Sequence, residues 1–347
     1  MESPQDKTFC VAKLNDAADI VVVGSCLVKL VAYGKNLPRF SQTVEGYTAK
    51  HRFTGKGANQ CVAAAKLGAS VALVSKVGND LYGRRYLEEL QKYPSINTKY
   101  IWVMQDVPTG IASNVISNSD NYQSIIVPGA NACLSIADLN VAKDLLLSAK
   151  VVLFQGETPW ETTVYGLKKL LVSSGSTAKM IVNPSPAVYP LDPVVMILAD
   201  IICMNELEAE IITNMEIRNE EDIAECIEKL LDMKCKTVII TLNNSGIVYA
   251  SQDSPRLKTV AINRVENIVE TDGMDDCFVG ALTFYLCYYP QLSLGEIIYR
   301  SAEVARLSTF HVGLQTSFPN RESLNEELLS PVCKLPHEDE LRVSSKL

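Results

Sequence analysis

The sequence predicts an α/β fold in three layers, with a mainly parallel central sheet, helices on both faces and a small projecting β-sheet lid. From about residue 135 onward, short apolar runs rich in Val and Ile alternate with helical segments, which is typical of a parallel sheet. Before residue 130, additional strand-like segments interrupt this alternation. We expect those segments, at about 32–53 and 108–128, to form the lid.

The central strands are predicted at short, mostly apolar runs that contain β-branched residues. These runs are 19–23, 71–77, 151–154, 180–183, 201–204 and 237–242. Helices are predicted between them, at 61–68, 83–92, 135–148, 160–173, 206–214 and 220–233. Two strands, 111–116 and 124–127, flank a polar segment and predict a hairpin. One large α/β domain is expected at 18–330, with polar tails at 1–17 and 331–347.

Composition excludes several classes of function. The 347 residues are 47% hydrophobic and 21% charged, which is typical of a globular protein with a large core. The net charge of −8 argues against nucleic-acid and membrane partners. The first residues contain no apolar signal segment, and ten scattered cysteines without a Cys-x-x-Cys pair indicate buried thiols in a reducing compartment. We therefore expect a cytoplasmic protein, with nuclear access left open.

A polar turn with one glycine leads directly into a predicted amphipathic helix at 270–282. The N–H groups at the start of a helix are unpaired and carry partial positive charge, so such a turn can bind phosphate. An Asp in the first helical turn can cap the helix and can also accept a proton. These residue types point to phosphate chemistry at this helix.

The segment 270–282, E-T-D-G-M-D-D-C-F-V-G-A-L, resembles the ribokinase-like (PfkB) family of sugar kinases, which has roughly D-T-T-G-A-G-D-S-F-V-G-A-L here. The resemblance covers about 18–330 and implies a ribokinase-like three-layer α/β/α fold. It implies that Asp276 is the catalytic general base and that Gly273, Met274 and Asp275 form the anion hole. Met274 and Asp275 depart from the family pattern, and Asp275 adds a carboxylate.

Residues 54–60, T-G-K-G-A-N-Q, match six of the seven positions of the family's G-G-K-G-A-N-Q motif. Taken alone, a glycine-rich helix start is more often a structural turn. The resemblance implies the following substrate-binding residues: Leu27, Lys29, Gly55, Lys56, Gly57, Ala58, Asn59, Glu157 and Asp276. Lys29 stands where the family usually has an Asp, and an ammonium group cannot accept a hydrogen bond. The substitution at Lys29 predicts that sugar binding is altered or lost, or that the sugar is anionic. The alternative is that Lys29 is a solvated surface residue. Glu157 is equally compatible with a solvated loop position.

Two further motifs imply an ATP site. The family's N-x-x-E motif is present at 205–208, and its T-L-G-x-x-G motif is partly present at 241–246. The implied ATP-binding residues are Asn205, Thr241, Leu242, Asn243, Asn244, Ser245, Gly246 and Asp275. The resemblance also implies that Glu208 organises Mg²⁺, an ion that prefers carboxylate, water and phosphate oxygens. The alternative is an ordinary acidic helix start, which the helix dipole favours.

The resemblance implies a monovalent cation, K⁺, near the final loop. The implied ligands are Glu270, Asp272, Ser308, His311, Gly313 and Ser317. Glu270 replaces the usual Asp, and its longer side chain displaces that ligand. On its own, the lone His311 is better explained as a surface or packing residue. The three His and ten Cys have no zinc-ligand spacing.

The function implied is that of a transferase, namely ATP-dependent phosphorylation of D-ribose to D-ribose 5-phosphate. Residues 278–294 resemble animal ribokinases, which favours ribose over adenosine or fructose. A carboxylate at Asp275, about 6 Å from the phosphate at a dielectric of about 20, would cost roughly 3 kcal/mol per unit charge. That is about a hundredfold in rate, so the alternative is a degenerate paralogue that binds ligand or partner with weak or no kinase activity. The partners expected are ATP, a pentose and a second copy of the chain, paired through the lid.

Overall fold

The structure is a computed structural model that describes residues 17–117, 122–242, 246–263 and 267–332. The strands are β1 (Ile20–Val23), β2 (Leu27–Gly34), β3 (Gly46–Thr54), β4 (Val71–Gly78), β5 (Ile96–Asn97), β6 (Ile101–Met104), β7 (Gly110–Ser117), β8 (Tyr122–Val127), β9 (Val151–Gln155), β10 (Lys179–Asn183), β11 (Ile201–Asn205), β12 (Thr237–Leu242), β13 (Gly246–Ser251) and β14 (Ser254–Val260). The α-helices are α1 (Lys56–Lys66), α2 (Leu81–Leu90), α3 (Ile136–Val141), α4 (Lys143–Ser148), α5 (Trp160–Tyr165), α6 (Pro193–Leu198), α7 (Glu206–Thr213), α8 (Glu220–Asp232), α9 (Met274–Tyr288), α10 (Leu294–Ser308) and α11 (Glu326–Leu329).

The predicted central sheet is confirmed. Its strand order is β14-β13-β12-β11-β10-β9-β1-β4-β5, with β6 also pairing with β4. The strands from β12 to β5 are parallel, whereas β13 and β14 are antiparallel. Alternate residues of β1 enter different cores: Ile20 and Val22 pack with α1, α2, α9 and α10, and Val21 and Val23 pack with α3 to α8. This alternation produces the three layers.

The sheet has a topological switch point at β1. From β1 the chain first crosses to β4 on one side, and it later returns to β9 on the other. In open parallel sheets, ligands bind in the crevice at the carboxyl ends of the strands where the order reverses. The loops that follow β1 and β9 therefore mark the expected site.

The small projecting sheet is also present, with the order β3-β2-β7-β8. The hairpin predicted around 117–121 is the antiparallel pair β7–β8, although residues 118–121 lie outside the described residues. Strand β2 begins at Leu27, earlier than the predicted lid boundary at 32. Leu27 and Lys29 therefore belong to the root of this sheet.

Several helices differ from the prediction. The helix predicted at 135–148 is divided into α3 and α4 at Ala142, and α5 is followed by a π-helical turn at Gly166–Val172. Helix α6 was not predicted. The expectation that the helix after residue 273 is amphipathic was wrong, because every residue from Asp276 to Cys287 is buried. Helix α9 packs between α1 and α10, and a helix enclosed in this way is apolar on all sides.

Helices α1 and α9 approach each other closely at Gly280. A Cβ atom added to Gly280 would lie 2.5 Å from the Cβ of Ala63 and 2.7 Å from the carbonyl oxygen of Gln60. The side chains at the start of α1 therefore lie directly beside the first turn of α9.

Two features of the described residues relate to the composition of the chain. In the part of the chain that the structure describes, no helix is long and apolar enough to cross a bilayer. The cysteines of these residues are free thiols, and all of them except the partly exposed Cys133 are buried. Residues 1–16 and 333–347, which include most of both predicted tails, lie outside the described residues.

Candidate active site

The crevice at the switch point joins the loops after β1 and β9 to the start of α1. Ser25 follows β1, and its hydroxyl donates to the carboxylate of Glu157, which follows β9. The same Glu157 oxygen accepts the backbone N–H of Lys56 at 2.7 Å. Gly55 has a φ of 104°, and an added Cβ would lie 2.7 Å from the carbonyl oxygen of Ser25, so only glycine fits. Glu157 is thus fixed to the first turn of α1, and burial raises its pKa.

Asp276 lies in the first turn of α9 and is held by two amides. Its Oδ2 accepts from Asn59 Nδ2 at 2.8 Å, and its Oδ1 accepts from Gln60 Nε2 at 2.9 Å. The residue is only 7% exposed, and this burial raises the pKa of its carboxyl, while the charge of Lys56 and the two amides act in the opposite direction. Each carboxylate oxygen keeps a lone pair beyond the one used here. The group is therefore an oriented carboxylate able to accept a further proton.

Gln60 connects this carboxylate to the ends of the sheet strands, and the sequence interpretation did not include it among the site residues. Its Nε2 also donates to Asn183 Oδ1 at 2.9 Å, and its Oε1 accepts from Gln155 Nε2 at 2.8 Å. Gln60 and Gln155 are fully buried. The sequence feature that could have identified Gln60 is its position as the last residue of the motif at 54–60. Its role depends on Asp276, 216 residues further along the chain.

A narrow cleft lies beside this network and combines residues of both predicted motifs. Lys56, Glu208, Thr241 and Asp275 are among the residues that line it. Asn205 lines it too, so the structure brings the predicted phosphate, magnesium and ATP residues together. Asp276 lies next to the cleft at the start of the same helix as Asp275.

Asn205 and Glu208 form a capping box at the start of α7. Glu208 N–H donates to Asn205 Oδ1 at 2.9 Å, and Asn205 N–H donates to Glu208 Oε2 at 3.0 Å. Burial raises the pKa of Glu208. The pair therefore stabilises the helix while the carboxylate of Glu208 also lines the cleft. Among the described residues, no group of three or more His, Cys, Asp or Glu could hold a metal ion alone.

Lys56 is the cation at the centre of the site. Burial alone would lower the pKa of its ammonium group, but the negative charges around it outweigh burial and hold that pKa above its usual value. The carboxylates responsible are those of Asp276, Glu157, Glu208 and Asp275. The site thus contains an ammonium group that is charged at neutral pH. It lies among the acids that would otherwise repel the phosphate of a nucleotide.

Comparisons with known proteins agree with this geometry. Residues 17–321 match the pfkB family carbohydrate kinases. The chain belongs to the pfkB family. It is 41% identical to mouse ribokinase over 309 residues, which cover 89% of this chain and 94% of that protein. It is 30% identical to the deoxyribokinase of Salmonella typhi over 310 residues, covering 89% and 98% of the two chains.

Solved structures of similar fold include the Arabidopsis thaliana ribokinase complexed with ribose and ATP. The TM-score is 0.81 at 25% identity, covering 90% of this chain and 99% of that chain. The ribokinase of Giardia lamblia also has a TM-score of 0.81, at 26% identity, with coverage of 88% and 98%. The ribokinase-like fold predicted from sequence is therefore confirmed.

The turn before α9 is where this chain departs most from the pfkB pattern, and cations from the small sheet surround it. Lys29 Nζ lies 2.7 Å from Asp272 Oδ2. The Arg52 guanidinium contacts both carboxylate oxygens of Glu270, with Nη2 3.1 Å from Oε2. Glu270 Oε2 also accepts the backbone N–H of Gly313 at 3.0 Å. Lys29 is thus a partly buried ion-pair partner, and Arg52 was not identified from the sequence.

Two serines implied as ligands of a monovalent cation use their hydroxyls in local hydrogen bonds. The hydroxyl of Ser308 donates to the carbonyl of Ala305 at 2.7 Å, and that of Ser317 donates to the carbonyl of Leu314 at 2.8 Å. His311 is exposed at the surface.

The anion-hole residues begin α9. Gly273 is its N-cap with a φ of 84°, and an added Cβ would lie 2.6 Å from a methyl carbon of Leu314. Met274 and Asp275 are the first two helical residues, so their N–H groups have no partner within the helix.

The residues implied to bind the nucleotide at 241–246 lie in the β12–β13 hairpin, in which Leu242 pairs with Gly246. Its tip, formed by Asn243, Asn244 and Ser245, lies outside the described residues. At the sugar side, Ala58 N–H donates to the carbonyl of Ser25 at 3.0 Å. An added Cβ at Gly57 would lie 2.5 Å from the backbone nitrogen of Ser25. These residues therefore fix how α1 meets β1.

Proposed function

We propose that this protein is a sugar kinase that transfers the γ-phosphoryl group of ATP to D-ribose, forming D-ribose 5-phosphate. The observation that carries this proposal is the carboxylate of Asp276, held by Asn59 and Gln60 beside a cleft that contains Lys56. Membership of the pfkB family and the similarity to mouse ribokinase support the same activity. The alternative of a degenerate, inactive paralogue is not favoured, because the base and its partners are retained in an ordered arrangement.

In the proposed mechanism, Asp276 accepts the proton of the ribose hydroxyl as that oxygen bonds to the γ-phosphorus, while the bond from that phosphorus to the bridging β–γ oxygen breaks and ADP leaves. The two amide donors orient the carboxylate and restrict it to one position. The negative charge that develops on the transferred group is stabilised by the positive end of the α9 dipole and by the ammonium of Lys56. Glu157, fixed by Ser25 and the N–H of Lys56, is an acceptor for a sugar hydroxyl.

Mg²⁺ fits the acidic cleft in this scheme. A buried carboxylate at Glu208 lines the cleft, and a magnesium ion in such a site takes most of its ligands from phosphate oxygens and water. When bound with the nucleotide, Mg²⁺ would neutralise phosphate charge there. Asn205 would hold Glu208 in place through the capping box.

The implied K⁺ does not fit the arrangement around Glu270. Both oxygens of that carboxylate accept hydrogen bonds from Arg52, and one also accepts from Gly313. We therefore derive no step through K⁺. Pairing of two chains through the small sheet, its action as a lid and a cytoplasmic location stay predictions.

The test is an assay of ADP release with ATP, Mg²⁺ and either D-ribose or 2-deoxy-D-ribose, since the relatives include both ribokinases and deoxyribokinases. We expect ribose-dependent turnover and a higher kcat/KM for ribose. Asp276→Asn should lower kcat by about 10²–10⁴-fold, the usual contribution of a general base. Asp253→Asn, an exposed carboxylate in the turn between β13 and β14, is the matched control and should leave kcat unchanged.

Calorimetry separates the alternatives. Asp276→Asn should still bind ribose, because the mutation removes a proton acceptor and retains its shape. Ribose binding by the wild type without ADP release would support the degenerate paralogue instead. Equal kcat in wild type and Asp276→Asn would contradict the assignment of the base.

A further inference from the structure

Four charged side chains connect the root of the small sheet to the turn before α9, and we call them the charge clasp. They are Lys29, Arg52, Glu270 and Asp272. Lys29 in β2 and Arg52 in β3 are directly paired in the antiparallel ladder, so their side chains project from the same face of the sheet. The two acids come from a segment more than 200 residues away.

The clasp is balanced in charge and only partly exposed to water. Arg52 forms a two-pronged contact with Glu270, and one of its nitrogens also lies 3.6 Å from Asp272 Oδ2. The side chains of Arg52 and Glu270 are only 14% and 23% exposed. A planar guanidinium suits such bidentate pairing better than a lysine ammonium does.

Glu270 has little capacity left for an additional cation in this arrangement. Its two oxygens accept from two guanidinium nitrogens and from the N–H of Gly313. Burial would raise the pKa of Glu270, but these donors hold it below its usual value. A metal ion at this carboxylate would lie beside the positive charge of Arg52 and would be repelled by it.

The clasp also fixes the backbone that leads into the catalytic helix. The N–H groups of Val269 and Glu270 donate to the carbonyl of Thr309 at 2.9 and 3.2 Å. The N–H of Met274 donates to the carbonyl of Thr271 at 3.1 Å. The guanidinium paired with Glu270 therefore helps to hold in place the turn that leads into α9.

We propose that Arg52, assisted by Lys29, is a built-in cation that replaces a bound monovalent metal ion in this chain. Arg52 neutralises Glu270 and orders the turn before α9, so the protein keeps its structure and activity without K⁺. The statement about activity rests on the proposed function, but the statement about structure does not. Arg52 and Lys29 are positioning residues, since they act through the turn.

The first test compares the wild-type protein in KCl and in tetramethylammonium chloride at equal ionic strength. We expect kcat/KM values for ATP and ribose that agree within about twofold, a difference of about 0.4 kcal/mol in the transition-state energy. We also expect the same melting temperature of the unliganded protein in both salts. Activation of about tenfold or more by KCl, or a melting temperature that rises with K⁺, would overturn the proposal.

The second test is Arg52→Met, which leaves the partly buried Glu270 without its cation. We expect at least about a tenfold loss of kcat/KM in tetramethylammonium chloride, because breaking such a pair costs more than a factor of ten. K⁺ should recover much of that loss and should raise the melting temperature of the variant. Arg218→Met, which removes an exposed ion pair with Glu216, is the matched control and should respond to neither salt.

Arg52→Lys covers the case in which Arg52→Met does not fold. Lysine keeps the charge but loses the two-pronged contact, so we expect a smaller loss and a weaker response to K⁺ than in Arg52→Met. Identical behaviour of both variants in the two salts would overturn the proposal. If the wild type does not phosphorylate ribose at all, the proposed function fails, while the melting temperatures still decide whether Arg52 replaces a metal ion.

Discussion

Two sides of the first turn of α9 are stabilised in different ways. On the sugar side, neutral amides in the core hold Asp276, and every partner is buried. On the phosphate side, the partly exposed acids Glu270 and Asp272 and the exposed Asp275 are balanced by cations from distant segments. Both sides depart from the pfkB pattern: Thr54 and Lys29 are substitutions at the sugar-binding positions, whereas the phosphate side gains carboxylates at Asp272 and Asp275.

The difference teaches that the substitutions on the phosphate side are compensated by charge. Lys29 and Arg52 balance Asp272 and Glu270, and Lys56 balances Asp275 within the cleft. Lys29 therefore neutralises Asp272, whereas the acid predicted from the sequence to repel the phosphate is Asp275. The sugar side needs precise geometry, whereas the phosphate side needs the correct local charge.

The largest effect should come from removing the cation shared by both sides. Lys56→Met would leave four carboxylates without their central positive charge. Breaking such a buried arrangement costs about 3–5 kcal/mol, so we expect kcat/KM for ATP to fall by about 10²–10³-fold. Steady-state kinetics with ATP as the varied substrate measures this loss.

Lys56→Arg and Lys92→Met serve as controls. The arginine variant keeps the charge and should recover part of the activity, and the exposed Lys92 should have no effect. Equal losses in Lys56→Met and Lys56→Arg would indicate that shape, and not charge, is what the cleft requires.

An intermediate effect should come from the geometry of the sugar side. Gln60→Met removes one of two hydrogen bonds that favour the ionised form of Asp276, so it should raise the pKa of that carboxyl further. Asp276 must be ionised to accept a proton, so kcat/KM falls as pH drops through this pKa. We therefore expect the acid limb of the pH profile to move to higher pH, with kcat reduced about tenfold at neutral pH.

The pH profile distinguishes positioning from stability. The other charged groups around Asp276 and Lys56 are unchanged in this variant. They are Lys56 itself, Glu157, Glu208 and Asp275. The control is Gln252→Met, which removes two hydrogen bonds that the side-chain amide donates to backbone carbonyls outside the site. This variant should lower stability without moving the acid limb of the pH profile. An unshifted limb in Gln60→Met would show that Gln60 supports only the fold.

The smallest effect should come from Asp275. Its carboxylate repels phosphate, but Lys56 in the same cleft offsets most of that repulsion. Asp275→Gly should raise kcat/KM for ATP by about threefold to tenfold, and so should Asp275→Asn, which favours the helix more than Gly does. This gain is well below the factor of about one hundred expected if no cation offset the repulsion. Turnover that is unchanged or lower in both variants would remove the repulsion argument.

Much of the fold could be predicted from local sequence. The runs around β1, β4 and β9 are uninterrupted apolar segments, which identify buried parallel strands without tertiary information. The division between α3 and α4 and the existence of α6 depend on tertiary packing. The environment of α9 could not be predicted because its enclosure depends on α1 and α10.

The site could be predicted where a motif carries it, as at Asp276, Asn59 and Glu208. The partners that set its chemistry could not. Gln60 meets Asp276 across 216 residues, and Arg52 meets Glu270 across 218. Neither pairing leaves a local pattern, because β2, β3 and α1 must first be placed against α9 by the fold.

The close crossing of α1 and α9 at Gly280 restricts which substitutions this enzyme can accept during evolution. Adding a single methyl group there would force two helices apart, and the amides of Asn59 and Gln60 would move away from the acid that they orient. Chemistry would then be lost through a position that touches neither sugar nor nucleotide. The absence of a side chain at residue 280 is thus as much a requirement for turnover as the presence of one at residue 276.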